Sequence, residues 1–407
     1  MRLAFVTSTP MSVGGGSGTY VGISVLQQAL VAHGCRVARV APPPGPMPLG
    51  HTIQRLAFNL AAGRRLVRLG TLDGVLGFDL DGFLLRYRWP YVAAIKGVLA
   101  EELTFERGAV RASLWLQSCL ERVNVRRAPL VLTTSEYARQ QIARHYGVSA
   151  AKIAVVPEPI DLARWRAALG AGDPAPWAPA ILTVCHLYPR KRVDVLLRAM
   201  PRVLEAVPAA RLRVVGVGPE AERLGVLRAA LGLEAAVAFL GQVPFTQLAR
   251  EYRDCALFCL PSQQEGFGIV LLEAMAAGRP IVACRAAAVP EVAPDGEAAR
   301  LVPPNDPAAL AAALIALLGD RERAAALGRA GAARVERYDA PRVADQFLAA
   351  TRPLFGRPGP LVAAPPGPAA VQAIDWAGPS LSPAARPMLL RSAGEGRARA
   401  RRSDGNE

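Results

Sequence analysis

The sequence predicts an α/β fold of two domains, each a parallel sheet with helices on both faces. Three observations carry this expectation. Short apolar runs alternate with helical stretches through both halves of the chain, the pattern of strands joined by crossover helices. The segment ALGAGDPAPWAP at 168–179 is rich in Gly, Pro and Ala, and separates the two series. The chain has 407 residues, too many for one small core. The boundaries that follow are a first domain at 1–167, a linker at 168–179, a second domain at 180–352 and a tail at 353–407.

In the first series, LAFVTS (3–8) is a strand, followed by a Gly-rich loop and a helix that Gly34 stops. RVARVA (36–41), VLGF (75–78), YVAAI (91–95) and LVLTT (130–134) are further strands. Ser135 caps a helix that ends at Gly147, and IAVVP (153–157) closes the half. In the second series the strands are ILTVCH (181–186), RLRVVG (211–216), VAFLG (237–241), ALFCL (256–260) and PIVAC (280–284). Two such series suggest two facing Rossmann-like domains with the ligand site in the cleft between them, at the carboxyl ends of strands. Residues 353–407 are rich in Pro, Ala, Gly and Arg without periodicity, and are expected to be disordered.

Composition narrows the class. Hydrophobic residues make up 52% and charged residues 20%, a globular balance. The six cysteines show no CxxC spacing, so neither a zinc site nor a disulfide framework is indicated, in keeping with a reducing cytoplasm. The first apolar run is too short for a signal peptide, and PAALAAALIALLG at 307–319 is too short to cross a bilayer. Residues 1–170 hold 20 basic and 10 acidic residues, so +10 of the net +15 lies there. A basic first domain favours an anionic partner such as a membrane surface. Solvated arginines explain it equally well.

Three passages carry chemistry. EGFGIVLLEAMAAG (265–278) sets Glu265 and Glu273 in one of the most apolar stretches of the chain. Glu265 falls just before a helix and Glu273 about two turns into it, so both can face the cleft. The amides of Phe267, Gly268 and Ile269 at the helix start suit an anion. Paired carboxylates beside an anion nest suit a sugar joined to a phosphate. A helix-end charge and an arginine-paired glutamate would explain the same residues. VGGGSGTY (13–20) follows the first strand, and its glycines let backbone approach a phosphate, although a flexible turn explains them nearly as well. HLYPRKR (186–192) places Arg190, Lys191 and Arg192 at a helix N-terminus, where the dipole disfavours cations and a diphosphate would resolve the conflict. Otherwise these are surface arginines.

Together these passages resemble the retaining glycosyltransferases of family 4, which have the GT-B fold. The resemblance covers about residues 1–350. EGFGIVLLEAMAAGRPIVA (265–283) is similar to the family's E-x7-E signature, and PRKRVDVLLRAM, RLRVVGVGPE, VAFLGQV, VPEV and LVPPNDPAALAAAL follow in the family's order. GGGSGTYV, TTSEYARQQIARHYGV and IAVVPEPID extend the match through the first half. The resemblance implies transfer of a sugar from a nucleotide-diphosphate sugar with retention of configuration, no metal and no protein nucleophile. Glu265 would contact donor-sugar hydroxyls and Glu273 the ribose. Phe267, Gly268 and Ile269 would lie against the donor, and Lys191 would neutralise the leaving diphosphate. Gly15 and Gly16 would close on the diphosphate from the first domain, and Val243 marks the segment that reads the base. Two positions depart from the family. Its phosphate-binding Gly-Arg pair is Cys185-His186 here, which shifts weight to Lys191 and Arg190. A histidine beside the donor sugar is Lys96.

Other classes remain open. Asp79 and Asp81 in GFDLDGF form the D-x-D of metal-dependent transferases. A pyridoxal phosphorylase is disfavoured, because Lys96 and Lys152 are the only lysines besides Lys191 and neither lies in the second domain. No nucleic-acid motif accompanies the basic surface, so no nucleic-acid partner is expected. An inactive scaffold of the same fold, or a basic membrane- or nucleic-acid-binding protein, is a further alternative. Residues 52–70 and 107–127 can form basic amphipathic helices that meet an anionic membrane and a lipid-linked acceptor, or core helices with basic outer faces. The expected location is the cytoplasm, at the inner face of the membrane.

Overall fold

The structure is a computed structural model, described here for residues 1–9, 18–42, 51–85, 89–170 and 178–356. The first half contains β1 (Arg2–Val6), α1 (Gly18–Ala32), β2 (Arg36–Val40), α2 (His51–Arg68), β3 (Gly74–Phe78), β4 (Tyr91–Ile95), α3 (Leu99–Glu102), α4 (Gly108–Arg127), β5 (Leu130–Thr133), α5 (Glu136–Tyr146), β6 (Ile153–Val155) and α6 (Leu162–Leu169). The second contains β7 (Ala180–Val184), α7 (Val193–Ala206), β8 (Arg211–Val215), α8 (Ala221–Ala230), β9 (Val237–Gly241), α9 (Phe245–Asp254), β10 (Leu257–Leu260), α10 (Ile269–Ala276), β11 (Ile281–Cys284), α11 (Val289–Val292), β12 (Ala299–Val302), α12 (Pro307–Gly319), α13 (Arg321–Arg334) and α14 (Ala340–Phe355).

Two six-stranded parallel sheets result, in the orders β2-β1-β3-β4-β5-β6 and β12-β11-β10-β7-β8-β9. This is the α/β architecture that the alternation predicts. Central strands such as β3, β4 and β10 are buried along their whole length, which is why they read as unbroken apolar runs. Successive residues of one strand enter different cores. Ile181, Leu212 and Leu257 join one cluster, and Leu182, Val215 and Phe258 the other, so each face of the second sheet is covered. Ser135 caps α5 by accepting from Ala138 N, and Gly147 ends the helix with φ 64°.

The packing does not follow the boundaries drawn from the sequence. Helix α6 lies within 1–167 and at the linker's edge, yet Trp165 packs edge-to-face on Phe245 and Tyr252 in the second core. Helix α14 begins in 180–352 and continues to Phe355, so residues 353–355, expected in the disordered tail, are helical. Its Val343, Ala344, Phe347 and Phe355 pack with Leu3, Phe5 and Ile23 in the first core. The chain therefore crosses between the sheets twice, and the crossings lie side by side. Ile160 N donates to Tyr338 O and Ala340 N donates to Ile160 O. Strand β12 was also not foreseen. Proline, glycine and charge flank it, and its Arg300 is exposed, as suits an edge strand.

Among the described residues no helix is long and apolar enough to cross a membrane. The tail from 357 onward, with the disorder expected there, and Gly15 and Gly16 lie outside the described residues.

Replacing fully buried Phe347 by alanine should destabilise the protein by about 3–5 kcal/mol in urea unfolding. A loss below about 1 kcal/mol would show that α14 is not part of the first core.

Candidate functional site

The carboxyl ends of both sheets meet around the turn from β10 to α10. Ser135, which caps α5, also donates from its hydroxyl to Gly266 O at 2.7 Å. A Cβ on Gly266 would stand 2.7 Å from the Lys96 carbonyl, so only glycine lets the two backbones approach this closely. A Cβ at Gly18, where α1 begins, would lie 3.1 Å from Ile269. Glu291, on α11, accepts from the amides of Glu136 (2.8 Å) and Tyr137 (3.2 Å) at the start of α5. Gln264 donates to Glu101 at 3.3 Å. The backbone at Lys96 and the turn at Gly266–Ile269 thus meet across one cleft.

Glu265 is buried just before α10 and pairs with Lys191 Nζ at 2.7 Å, both side chains nearly closed off from water. Lys191 ends a 3-10 turn at Pro189–Lys191, after β7. Glu273, one face around α10, is also buried, and Tyr252 donates to its Oε2 at 2.9 Å. It has no ion-pair partner among the described residues, so the arginine that would make it structural is not there. Burial, opposed only by the tyrosine hydrogen bond, pushes its carboxyl up to about 7. Gly268 adopts φ 90° at the start of α10, which leaves the Ile269 end facing α1. The Phe267 ring packs edge-to-face on Tyr338 in the second core, which leaves its backbone as the part at the helix start.

Lys96 follows β4. Its ammonium pairs with Glu158 at 2.9 Å, again with both side chains almost fully buried, and its amide donates to Asp79 Oδ1 at 3.0 Å. Arg190 has a partner in the first domain. Its guanidinium lies over Tyr188 and reaches Glu102 of the first domain at 3.5 Å, a contact between the domains that the sequence did not indicate. His186 is half-buried with its ring 5.9 Å from Tyr188. Beside it, burial raises the Cys185 thiol to about 12. Val243 is half-buried in the loop after β9.

The D-x-D carboxylates are engaged by the chain. Asp81 accepts from Ser8 N, Ser8 Oγ and Asn59, with Arg55 at 3.5 Å, and Asp79 accepts from Lys96 N. Among the described residues no cluster of three or more His, Cys, Asp or Glu could hold a metal ion.

Sequence reasoning missed Glu158, Tyr252, Glu102 and Glu291. Glu158 carried a usable signal, since it is an acid just beyond the carboxyl end of a strand, in PEPID. Tyr252, Glu102 and Glu291 reach the cleft from helices, and nothing in their spacing marks them.

The raised Glu273 carboxyl sets a pH dependence. The folded state holds this proton more tightly than the unfolded chain, so its stabilising effect is complete below about 4.5 and is lost as pH rises through about 7. Thermal unfolding of Glu273→Gln should accordingly fall less between pH 5 and 8 than that of the wild type. Parallel curves would remove the buried proton from the account.

A family model described as Glycosyltransferase Family 4 matches residues 15–164, and one described as Glycosyl transferases group 1 matches 178–320. A phosphatidyl-myo-inositol mannosyltransferase of Mycobacterium leprae is 35% identical over 323 residues, covering 74% of this chain and 80% of the relative. A GDP-mannose-dependent alpha-(1-6)-phosphatidylinositol monomannoside mannosyltransferase of Mycolicibacterium smegmatis is 34% identical, covering 53% of this chain. A D-inositol 3-phosphate glycosyltransferase of Nocardia farcinica is 35% identical, covering 54% of this chain. The chain spans 61% and 51% of the lengths of these last two relatives. Among solved structures, sucrose-phosphate synthase from Thermosynechococcus elongatus aligns with TM-score 0.74 at 22% identity, over 87% of this chain and 99% of that one. Anabaena HepE in complex with UDP-glucose aligns with TM-score 0.66 at 19% identity, over 87% of this chain and 100% of that one. These are likenesses of fold, and the fold is GT-B. Two facing parallel sheets, two family models that together match residues 15–164 and 178–320, and a relative matched over most of its length agree: the chain belongs to glycosyltransferase family 4.

Proposed function

We propose that this chain transfers a hexosyl group, with retention, from a nucleotide-diphosphate sugar to a lipid-linked or polysaccharide acceptor, with an inositol-phosphate acceptor the first to test. The observation that carries this reading is the Lys191–Glu265 pair at the start of α10, with Glu273 on the same helix. An arriving diphosphate would draw the Lys191 ammonium to itself. Glu265 would then be released to accept hydrogen bonds from sugar hydroxyls. The Glu273 oxygen not taken by Tyr252 would accept from the ribose. In the transfer the bond from the anomeric carbon to the diphosphate breaks as the bond to the acceptor oxygen forms on the same face. The acceptor's proton passes to the leaving phosphate, whose charge Lys191 offsets. No protein nucleophile and no metal are assigned. Closure of the cleft would exclude water. Relatives named for phosphatidylinositol and inositol phosphate support an inositol-containing acceptor.

The acceptor side has a matching surface. On α2, Ile53, Leu60 and Val67 recur every seven residues and are 55%, 72% and 53% exposed, with Arg64 and Arg68 beside them. On α4, Val110, Trp115 and Leu116 are exposed among Arg107, Arg111 and Arg122. The two helices lie against each other through Thr52, Ser113 and Gln117. An apolar stripe rimmed with arginine suits an anionic lipid surface and supports a membrane-peripheral reading.

Two experiments test these readings. Titration with UDP-, GDP- and ADP-sugars in EDTA should raise the unfolding temperature by several degrees for one donor, from about 2.7 kcal/mol at a hundred times Kd. Glu273→Ala should reduce the shift, and the absence of a shift with every donor would count against the donor reading. In flotation with anionic vesicles at low salt, the wild type should rise with the lipid and Leu60→Asp/Trp115→Ala should stay behind. A wild type that stays behind would end the membrane reading.

A further inference from the structure

We propose that Glu158 is a positioning residue for Lys96, holding the ammonium in the cleft and cancelling its charge where the donor sugar sits. The assignment rests on the nucleotide-sugar reading above. The pair is 2.9 Å long, with side chains 8% and 7% exposed. Two such groups are not brought out of water without a requirement for their place, because desolvation offsets most of the attraction between them.

The surroundings are built for the pair. A Cβ at Gly22, one turn into α1, would overlap the Glu158 carboxylate, so helix α1 admits the acid only where it has no side chain. Lys96 is fixed by its amide bond to Asp79 and lies with its ammonium 6.0 Å from the Phe78 ring. Its carbonyl packs on Gly266, the residue after Glu265. The first-domain pair Lys96–Glu158 and the second-domain pair Lys191–Glu265 therefore stand on touching backbones across one cleft.

This arrangement has a chemical use. An ammonium has three donors, and Glu158 takes one of them, which leaves Nζ able to donate to a sugar hydroxyl. The anomeric carbon becomes positive as the diphosphate departs. An unbalanced lysine nearby would oppose that charge, and Glu158 removes the opposition while keeping the donor in place. A merely structural pair would serve equally well with its charges exchanged.

Exchange is therefore the test. Release of nucleoside diphosphate from GDP-mannose and UDP-glucose is measured with phosphatidylinositol vesicles as acceptor. Lys96→Glu/Glu158→Lys should keep an unfolding temperature near that of the wild type and lose at least tenfold in kcat. The uncharged pair Lys96→Met/Glu158→Leu should fold and lose as much, which guards against misfolding of the exchanged pair. Glu158→Gln should lower kcat with donor KM changed less than threefold, and Glu158→Asp should recover part of the loss. A kcat within threefold of the wild type in either double variant, or a Glu158→Gln effect confined to the unfolding temperature, would overturn the assignment. A wild type that turns over no UDP-, GDP- or ADP-sugar would instead overturn the donor reading and this assignment with it.

Discussion

The contact between Gly266 and the first domain is the constraint on which the site depends. The Gly266 carbonyl accepts from the Ser135 hydroxyl, and its α-carbon rests on the Lys96 carbonyl. One residue back is Glu265, and three residues on begins α10, which carries Glu273. A side chain at 266 would push the sheets apart and separate the two Lys–Glu pairs. Around this point the domains are joined by directional polar contacts, namely Ser135 to Gly266, Glu291 to the amides of α5, Gln264 to Glu101 and Arg190 to Glu102. Contacts of this kind exchange readily with water, unlike an apolar seam, so they suit surfaces that must part and rejoin.

The cleft concentrates buried charge, and each case is answered differently. Glu265 and Lys96 have opposite charges beside them, whereas Glu273 has only a tyrosine hydroxyl and retains its proton to about neutral pH. Asp81 is answered by neutral donors and an arginine in a network that anchors the end of β1 to α2, and α2 in turn to α4. That network joins the strand before the Gly-rich loop to the helices with the exposed apolar stripe. A D-x-D in sequence can thus be an internal brace as readily as a metal site.

Much of this was legible in the sequence. Parallel strands buried on both faces announce themselves as apolar runs, Glu265, Lys191 and Lys96 follow strand ends, and Glu273 lies on the helix after one. What was not legible depends on long-range packing. No periodicity tells that Trp165 joins the second core or Phe347 the first, because an amphipathic helix shows that it has a buried face without showing against which sheet. Arg190 looked like a phosphate ligand because its neighbours in sequence are basic. Its partner Glu102 is 88 positions away and becomes visible only when the domains face each other. The sequence marked the amide of Phe267, and only the fold shows that the strand-to-helix turn directs its ring inward onto Tyr338.

Helix α14 also bears on how the protein is made. The first sheet is complete once residue 155 has left the ribosome, but Phe347 and Phe355 belong to its core. That core stays uncovered while the whole second sheet, through Val302, is synthesised and folds. Helix α14 then closes the first domain. Contacts between residue 3 and residue 347 are among the slowest kind to form. The nascent chain therefore presents an apolar first-domain face for about half of its synthesis, and premature release before residue 355 leaves that face without its cover.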